Sequence, residues 1–211
     1  MKAVYNNTRP GVVSERVVEA NFIIEMFNKY FNPGDVVLDI GGIPSRHYEN
    51  KPILENISRA GAQYYVADFR GGDFQGDFVT YDFGERKFDI NIFLSSLEHF
   101  PQCTEGDMKF REKEDVKGFQ KALSITNTDG KIFLTVPYGV DAWYNYHQSY
   151  DDNTILDLTE GSTIIEEFIY MVNDEQKWEL KLADEVNGVT IDNTRVTCVG
   201  CFVCQKDQIE I

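Results

Sequence analysis

Asp39, Asp68, Asp82, Glu98, His99 and His147 are the side chains whose type and place in the chain could do chemistry. Asp39 stands just before the glycine pair Gly41-Gly42, Asp68 closes the run Gln63-Tyr64-Tyr65-Val66-Ala67, and Asp82 closes Phe78-Val79-Thr80-Tyr81. Acids ending successive strands of a parallel sheet share one crevice, where a carboxylate can accept both hydroxyls of a ribose. Each such charge-assisted bond contributes about 1.5–3 kcal/mol. Asp68 is read as that ribose acid, with Phe69 next to it. Asp82 is read as the acceptor for an adenine amino group and Phe83 as an apolar wall for the base, with Asp77 ranked behind Asp82. Ser95, Glu98 and His99 follow a further strand and reach the mouth of the same crevice. An imidazole near neutral pKa can take the proton of a hydroxyl nucleophile, so His99 and His147 are candidate bases and Glu98 a carboxylate alternative. Blander readings stand beside these: a turn aspartate can cap its own backbone, and His99 can simply orient Glu98 or a loop carbonyl. His47 is assigned no role.

The elements that position these residues follow from periodicity. Val36 to Ile40 is apolar and β-branched, which suits a strand covered on both faces, and Asn32-Pro33-Gly34-Asp35 supplies the preceding turn. Gly41 and Gly42 allow a sharp turn and close approach to a ligand, and a helix from about Ser45 to Ala60 points its free N–H groups back at the same place. A helix is expected from Ser14, as N-cap, to Tyr30; Arg16 and Glu19 lie one turn apart on it and read as a surface ion pair. Strands are expected at 63–68, 78–81 and 88–94, a polar loop from Pro101 to Glu114, and a helix from Val116 to Ile125. Asp129-Gly130 is expected to turn into the strand Lys131 to Val136. A last helix near 152–159 and strands near 163–172, 178–183 and 197–205 complete the set. Between them lies a stretch crowded with Asp141, Trp143, Tyr144, Tyr146, His147 and Tyr150, which suits a pocket for a polar organic molecule and equally suits an aromatic loop packed over the core.

The chain has 211 residues, 42% of them hydrophobic, enough for one domain with its own core, and the single-domain reading covers 1–211. A net charge of −15 repels phosphate backbones and anionic membranes at long range, so nucleic acid is discounted as a substrate. No run approaches the ~18 apolar residues of a spanning helix and Met1 to Pro10 is polar, so a cytoplasmic protein is expected. Cys198, Cys201 and Cys204 form C-x-x-C-x-x-C, but the apolar run around them reads as a strand. Its period of two sets Cys198 and Cys204 on one face and Cys201 on the other, so buried thiols are expected and no metal.

Taken in order, these segments resemble the Rossmann-like S-adenosylmethionine-dependent methyltransferases. Val36-Val37-Leu38-Asp39-Ile40-Gly41-Gly42 is similar to their first motif, Asp68 to their second-strand acid, Asp82-Phe83 to their adenine contact, and Phe88-Asp89 through Leu97-Glu98-His99-Phe100 to their fourth-strand motif. Asp129 to Pro137 is similar to the strand after their glycine-rich turn. Ile43-Pro44-Ser45 departs from the usual third glycine. The resemblance implies an α/β fold with a mostly parallel sheet of about seven strands, helices on both faces and an antiparallel last strand. It implies S-adenosyl-L-methionine as cofactor, bound by Asp39, Gly41, Gly42, Asp68, Phe69, Asp82, Phe83 and Ser95. Within the family, Ser14 to Glu19 and Leu-Glu-His look most like bacterial enzymes of polysaccharide and small-molecule pathways, which implies a sugar or similar hydroxyl as acceptor. The rival readings are a catalytically silent cofactor-binding partner and a nicotinamide-dependent oxidoreductase.

Overall fold

A computed structural model describes residues 4–5, 14–42, 51–102, 113–144, 147–186 and 196–208. Strand β1 (Val4–Tyr5) precedes helix α1 (Arg16–Tyr30). Val18, Phe22, Ile23, Met26 and Phe27 recur at helical spacing on α1 and are buried against the sheet. The Ser14 hydroxyl accepts the Arg16 N–H at 3.3 Å, while Glu15 takes the cap position without capping through its side chain, one residue later than expected. After β2 (Val36–Ile40), helix α2 spans Lys51–Ala60; Pro44, Ser45 and His47 lie outside the described residues. Strands β3 (Gln63–Asp68), β4 (Gly71–Gly72), β5 (Phe74–Gln75) and β6 (Phe88–Leu94) lead to a 3-10 turn, Leu97–Gln102, where a polar loop was expected from Pro101. Helix α3 (Glu114–Ile125) and strand β7 (Thr126–Pro137) follow, then the hairpin β8 (Ala142–Tyr144) and β9 (His147–Ser149). Helix α4 (Asp152–Leu158) is capped by Asp151, whose carboxylate accepts the Asn153 and Thr154 N–H groups. Strands β10 (Ser162–Val172) and β11 (Trp178–Lys181), the short α5 (Ala183–Val186) and β12 (Cys198–Lys206) close the chain.

The sheet runs β1-β11-β10-β12-β7-β6-β2-β3-β5. Pairing is parallel from β7 through β6, β2 and β3 to β5, and β12 is antiparallel to both β7 and β10. The α/β fold, with its antiparallel last strand, is therefore as the sequence implied. Among the described residues the sheet has nine strands rather than about seven, because β11 and β1 extend the edge beyond β10.

Two local expectations are corrected. Residues 78–80 form a turn and not a strand: the Asp77 carboxylate accepts the Val79 N–H at 3.0 Å and its carbonyl takes Thr80 and Tyr81, which holds the backbone in a tight bend. The place beside β3 goes to Phe74–Gln75. Asp129-Gly130 likewise is no turn ahead of a strand. The strand already begins at Thr126, and the register against β6 jumps from Phe88↔Thr126 to Ile90↔Lys131, so 127–130 are absorbed as an irregularity pinned by Asn127 donating to Asp89 at 2.6 Å.

The core lies on both faces of the sheet. One layer gathers Leu38, Ile40, Phe83, Phe93, Phe119, Leu134 and Phe202, and the other Val37, Ile90, Phe133, Val203 and the apolar stripe of α1. Cys198 and Cys204 belong to the first layer and Cys201 to the second, as the period of two requires. Burial pushes the Cys198 and Cys204 thiols up to about 12, so they are protonated and inert near neutral pH.

Candidate functional site

The carboxyl ends of β2, β3, β6 and β7 meet at one side of the sheet, and the glycine turn after β2 is stitched to both neighbours. Gly41 donates its N–H to Ala67 O at 2.7 Å on one side, and the Ser96 hydroxyl donates to Ile40 O at 2.6 Å on the other. Gly41 has φ +78, and a Cβ there would lie 2.6 Å from Ser96 Cβ. A Cβ on Gly42 would fall 2.3 Å from the Asp39 carboxylate. Both glycines are thus required by contact, and Gly41 by conformation as well.

Asp39 is buried beneath this turn. Tyr64 donates its hydroxyl to Oδ2 at 2.6 Å, while buried Oδ1 has no partner among the described residues. Burial raises the Asp39 carboxyl to about 6, the Tyr64 bond opposing the rise and the nearby Asp68 charge adding to it. Asp68 ends β3 beside it and is also buried; its Oδ1 accepts the Arg70 N–H at 2.7 Å. Phe69 follows, half-buried. Asp82 is exposed and closes a turn through the Gly84 N–H at 2.8 Å. Phe83 is buried in an aromatic cluster, its ring centroid 5.1 Å from Phe74 and 5.7 Å from Phe78. The structure therefore brings Asp39 and Asp68 together and sets Phe83 within the core.

The end of β6 carries a second group of polar residues. Ser95 adopts φ +46, a strained conformation for a residue with a side chain, and donates its N–H to Thr135 Oγ1 at 2.9 Å. Thr135 in turn donates its hydroxyl to Glu19 at 3.1 Å, and Arg16 bonds Glu19 at 3.0 Å and Leu94 O at 3.4 Å. Arg16 and Glu19 are no surface pair, contrary to expectation: Glu19 is fully buried because the first turn of α1 packs over the ends of β6 and β7. Burial raises the Glu19 carboxyl and Arg16 opposes the rise.

Glu98 and His99 follow on the 3-10 turn. Glu98 is 1% exposed, and its Oε1 lies 3.7 Å from His99 Nε2. The hairpin β8–β9 brings His147 to the same place, its ring perpendicular to that of His99 with centroids 6.3 Å apart. Burial, helped by His99, holds the His147 imidazole below its ordinary value, so it is neutral at physiological pH. Tyr150 donates to Asp115 at 2.8 Å and Gln148 to Asp141 at 2.6 Å along the same wall. The side chains of Trp143, Tyr144 and Tyr146 lie outside the described residues. Sequence reasoning missed Tyr64, Ser96, Thr135 and Asp115 as members of this region; only Ser96, beside the noted Ser95, carried any signal. Among the described residues no group of three or more His, Cys, Asp or Glu could hold a metal ion, and no helix is long and apolar enough to cross a membrane.

No protein-family model matches this chain, and no curated protein does so either. Solved structures do. The Burkholderia thailandensis 1,6-didemethyltoxoflavin-N1-methyltransferase, solved with 1,6-didemethyltoxoflavin and S-adenosylhomocysteine, aligns with a TM-score of 0.57 at 12% identity, covering 90% of this chain and 79% of that one. A S-adenosylmethionine-dependent methyltransferase from Clostridium acetobutylicum aligns with a TM-score of 0.55 at 11% identity, covering 94% of each chain. The [4+2]-cyclase SpnF aligns with a TM-score of 0.59 at 11% identity, covering 96% of this chain and 86% of that one. At such identities the likeness is one of architecture, and by that architecture the chain has the Rossmann-like fold of S-adenosylmethionine-dependent methyltransferases.

Proposed function

We propose that this protein binds S-adenosyl-L-methionine and transfers its methyl group to a small polar acceptor, a hydroxyl of a sugar or polysaccharide precursor being the acceptor the resemblance favours. The observation that carries this reading is the pair of buried carboxylates, Asp39 and Asp68, at adjacent strand ends beside a glycine turn that excludes side chains. These residues fit the cofactor: among the described residues Asp39 Oδ1 lacks a donor that an amino group would supply, and Asp68, the acid that ends β3, would accept ribose hydroxyls. The adenine role of Asp82 and Phe83 rests on the resemblance: Asp82 is exposed and accepts the Gly84 N–H, and Phe83 is buried in the core. When bound, the cofactor supplies a methyl group on a sulfonium, a strong electrophile. The chain's own residues then do two things. Ser95, Ser96 and the glycine turn hold the strand ends in one arrangement, which keeps the reacting groups in line. His147, neutral through burial, or His99 beside it takes the proton from the acceptor hydroxyl.

The rival is a catalytically silent cofactor-binding partner, since the same architecture occurs in a protein named as a [4+2]-cyclase and a fold does not fix the chemistry it carries. Calorimetry with S-adenosylmethionine, S-adenosylhomocysteine and NAD tests binding, and transfer of labelled methyl to a panel of sugars and small polar molecules tests turnover. Binding of NAD alone overturns the reading. Binding of the methyl donor with no transfer to any acceptor favours the silent form. The free thiols of Cys198, Cys201 and Cys204 support a cytoplasmic setting.

A further inference from the structure

We infer that the acceptor is a cation: a small polar molecule whose ammonium group is received by Glu98. This rests on the methyl-transfer reading above and names what that site would recognise, whichever heteroatom takes the methyl.

Glu98 is 1% exposed, and among the described residues its Oε2 has no hydrogen-bond donor. Its Oε1 lies 3.7 Å from His99 Nε2, beyond hydrogen-bonding distance. The carboxylates around it are different. Glu19 accepts Arg16 and Thr135, Asp115 accepts the Tyr150 hydroxyl and the Val116 N–H, and Asp141 accepts Gln148. Glu98 acts electrostatically on Arg16 and Glu19 from one side and on Tyr150 from the other, so it stands between the α1 network and the β8–β9 wall. Arg16 is the cation of this group, and its close partner is Glu19.

A buried carboxylate oxygen without a donor is costly, and such groups persist where a ligand completes them. A hydroxyl would supply one donor and leave the excess negative charge in place. An ammonium supplies three donors and the opposite charge. The position fits as well, because Glu98 adjoins His99, whose ring meets that of His147, the candidate proton acceptor.

The test is calorimetry on the full chain loaded with S-adenosylhomocysteine, titrated with glucosamine against glucose and with ethanolamine against ethylene glycol. At least one amine is expected to bind about tenfold or more tightly than its neutral counterpart. Glu98→Gln should remove that preference, keep S-adenosylhomocysteine affinity and leave the thermal midpoint equal or higher. Equal binding of amine and neutral probes, no binding of either amine, or a preference unchanged in Glu98→Gln overturns the inference. A Glu98→Gln variant that loses S-adenosylmethionine much more than S-adenosylhomocysteine would show Glu98 balancing the sulfonium instead, and also overturns it. Should the variant not fold, the wild-type comparison decides alone. Failure of the wild type to bind S-adenosylhomocysteine sinks the methyl-transfer reading itself, and this inference falls with it.

Discussion

Tyr64 donates its hydroxyl to one oxygen of Asp39 at 2.6 Å, and the other oxygen of that buried carboxylate has no donor among the described residues. On the proposed function the pair forms one side of the cofactor site. Its folded carboxyl sits at about 6 against an ordinary value of 3.8. Between these values the folded chain holds a proton that the unfolded chain does not, so the group's stabilising contribution is present at low pH and is lost as pH rises through about 6.

Asp39→Asn should therefore raise stability near neutral pH, by on the order of 2–3 kcal/mol at most, and flatten its decline with rising pH. The same change should weaken cofactor binding at least about tenfold. Thermal unfolding of both proteins from about pH 4 to pH 8, with calorimetry at neutral pH, checks the two effects. A wild type that loses no more stability than the variant on passing through pH 6 would contradict the assignment.

Asp68→Ala should weaken S-adenosylmethionine binding by roughly 2–4 kcal/mol, since a charged acceptor for two hydroxyls is removed. Unchanged affinity would place the ribose acid elsewhere.

His147→Ala or His99→Ala should lower turnover by roughly 10²–10⁴ for whichever histidine is the base, with cofactor binding nearly intact. If His147 is the base, activity should fall on the acid side through a pKa below the ordinary imidazole value, because burial favours its neutral form. Full activity in both variants would turn attention to Glu98 or Asp141.

Arg16→Leu leaves Glu19 buried without its partner and should cost about 3–5 kcal/mol near neutral pH. The loss should shrink as pH falls and Glu19 takes up a proton, since burial already raises its pKa. Chemical denaturation at two pH values measures this; a loss below about 1 kcal/mol would mean that the pair behaves as an exposed one.

Much of the architecture was legible because its signals are local. The helical spacing of Val18, Phe22, Met26 and Phe27 and the alternation of Cys198, Cys201 and Cys204 depend only on the periods of helix and strand, and both are seen in the structure. The glycine turn after Ile40 was legible for the same reason. Two short-range signals misled: Phe78 to Tyr81 has strand composition, but Asp77 bonds its own backbone first, and Asp129-Gly130 has turn composition inside a strand that starts at Thr126.

The amino-acid sequence by itself determined the main helices and strands in their order and Asp68 at the end of β3, because these elements follow their own apolar runs; Asp82 closes a turn and no strand. Tertiary structure alone decided which of those acids share surroundings. Tyr64 reaches Asp39 only because β2 and β3 pair with Val37 opposite Tyr64. Glu19 is sealed only because the first turn of α1 crosses the ends of β6 and β7. His147 meets His99 only because a hairpin far along the chain folds back over the 3-10 turn after β6. Such contacts depend on strand order and register, which bring together residues far apart in the chain, and no local period encodes them.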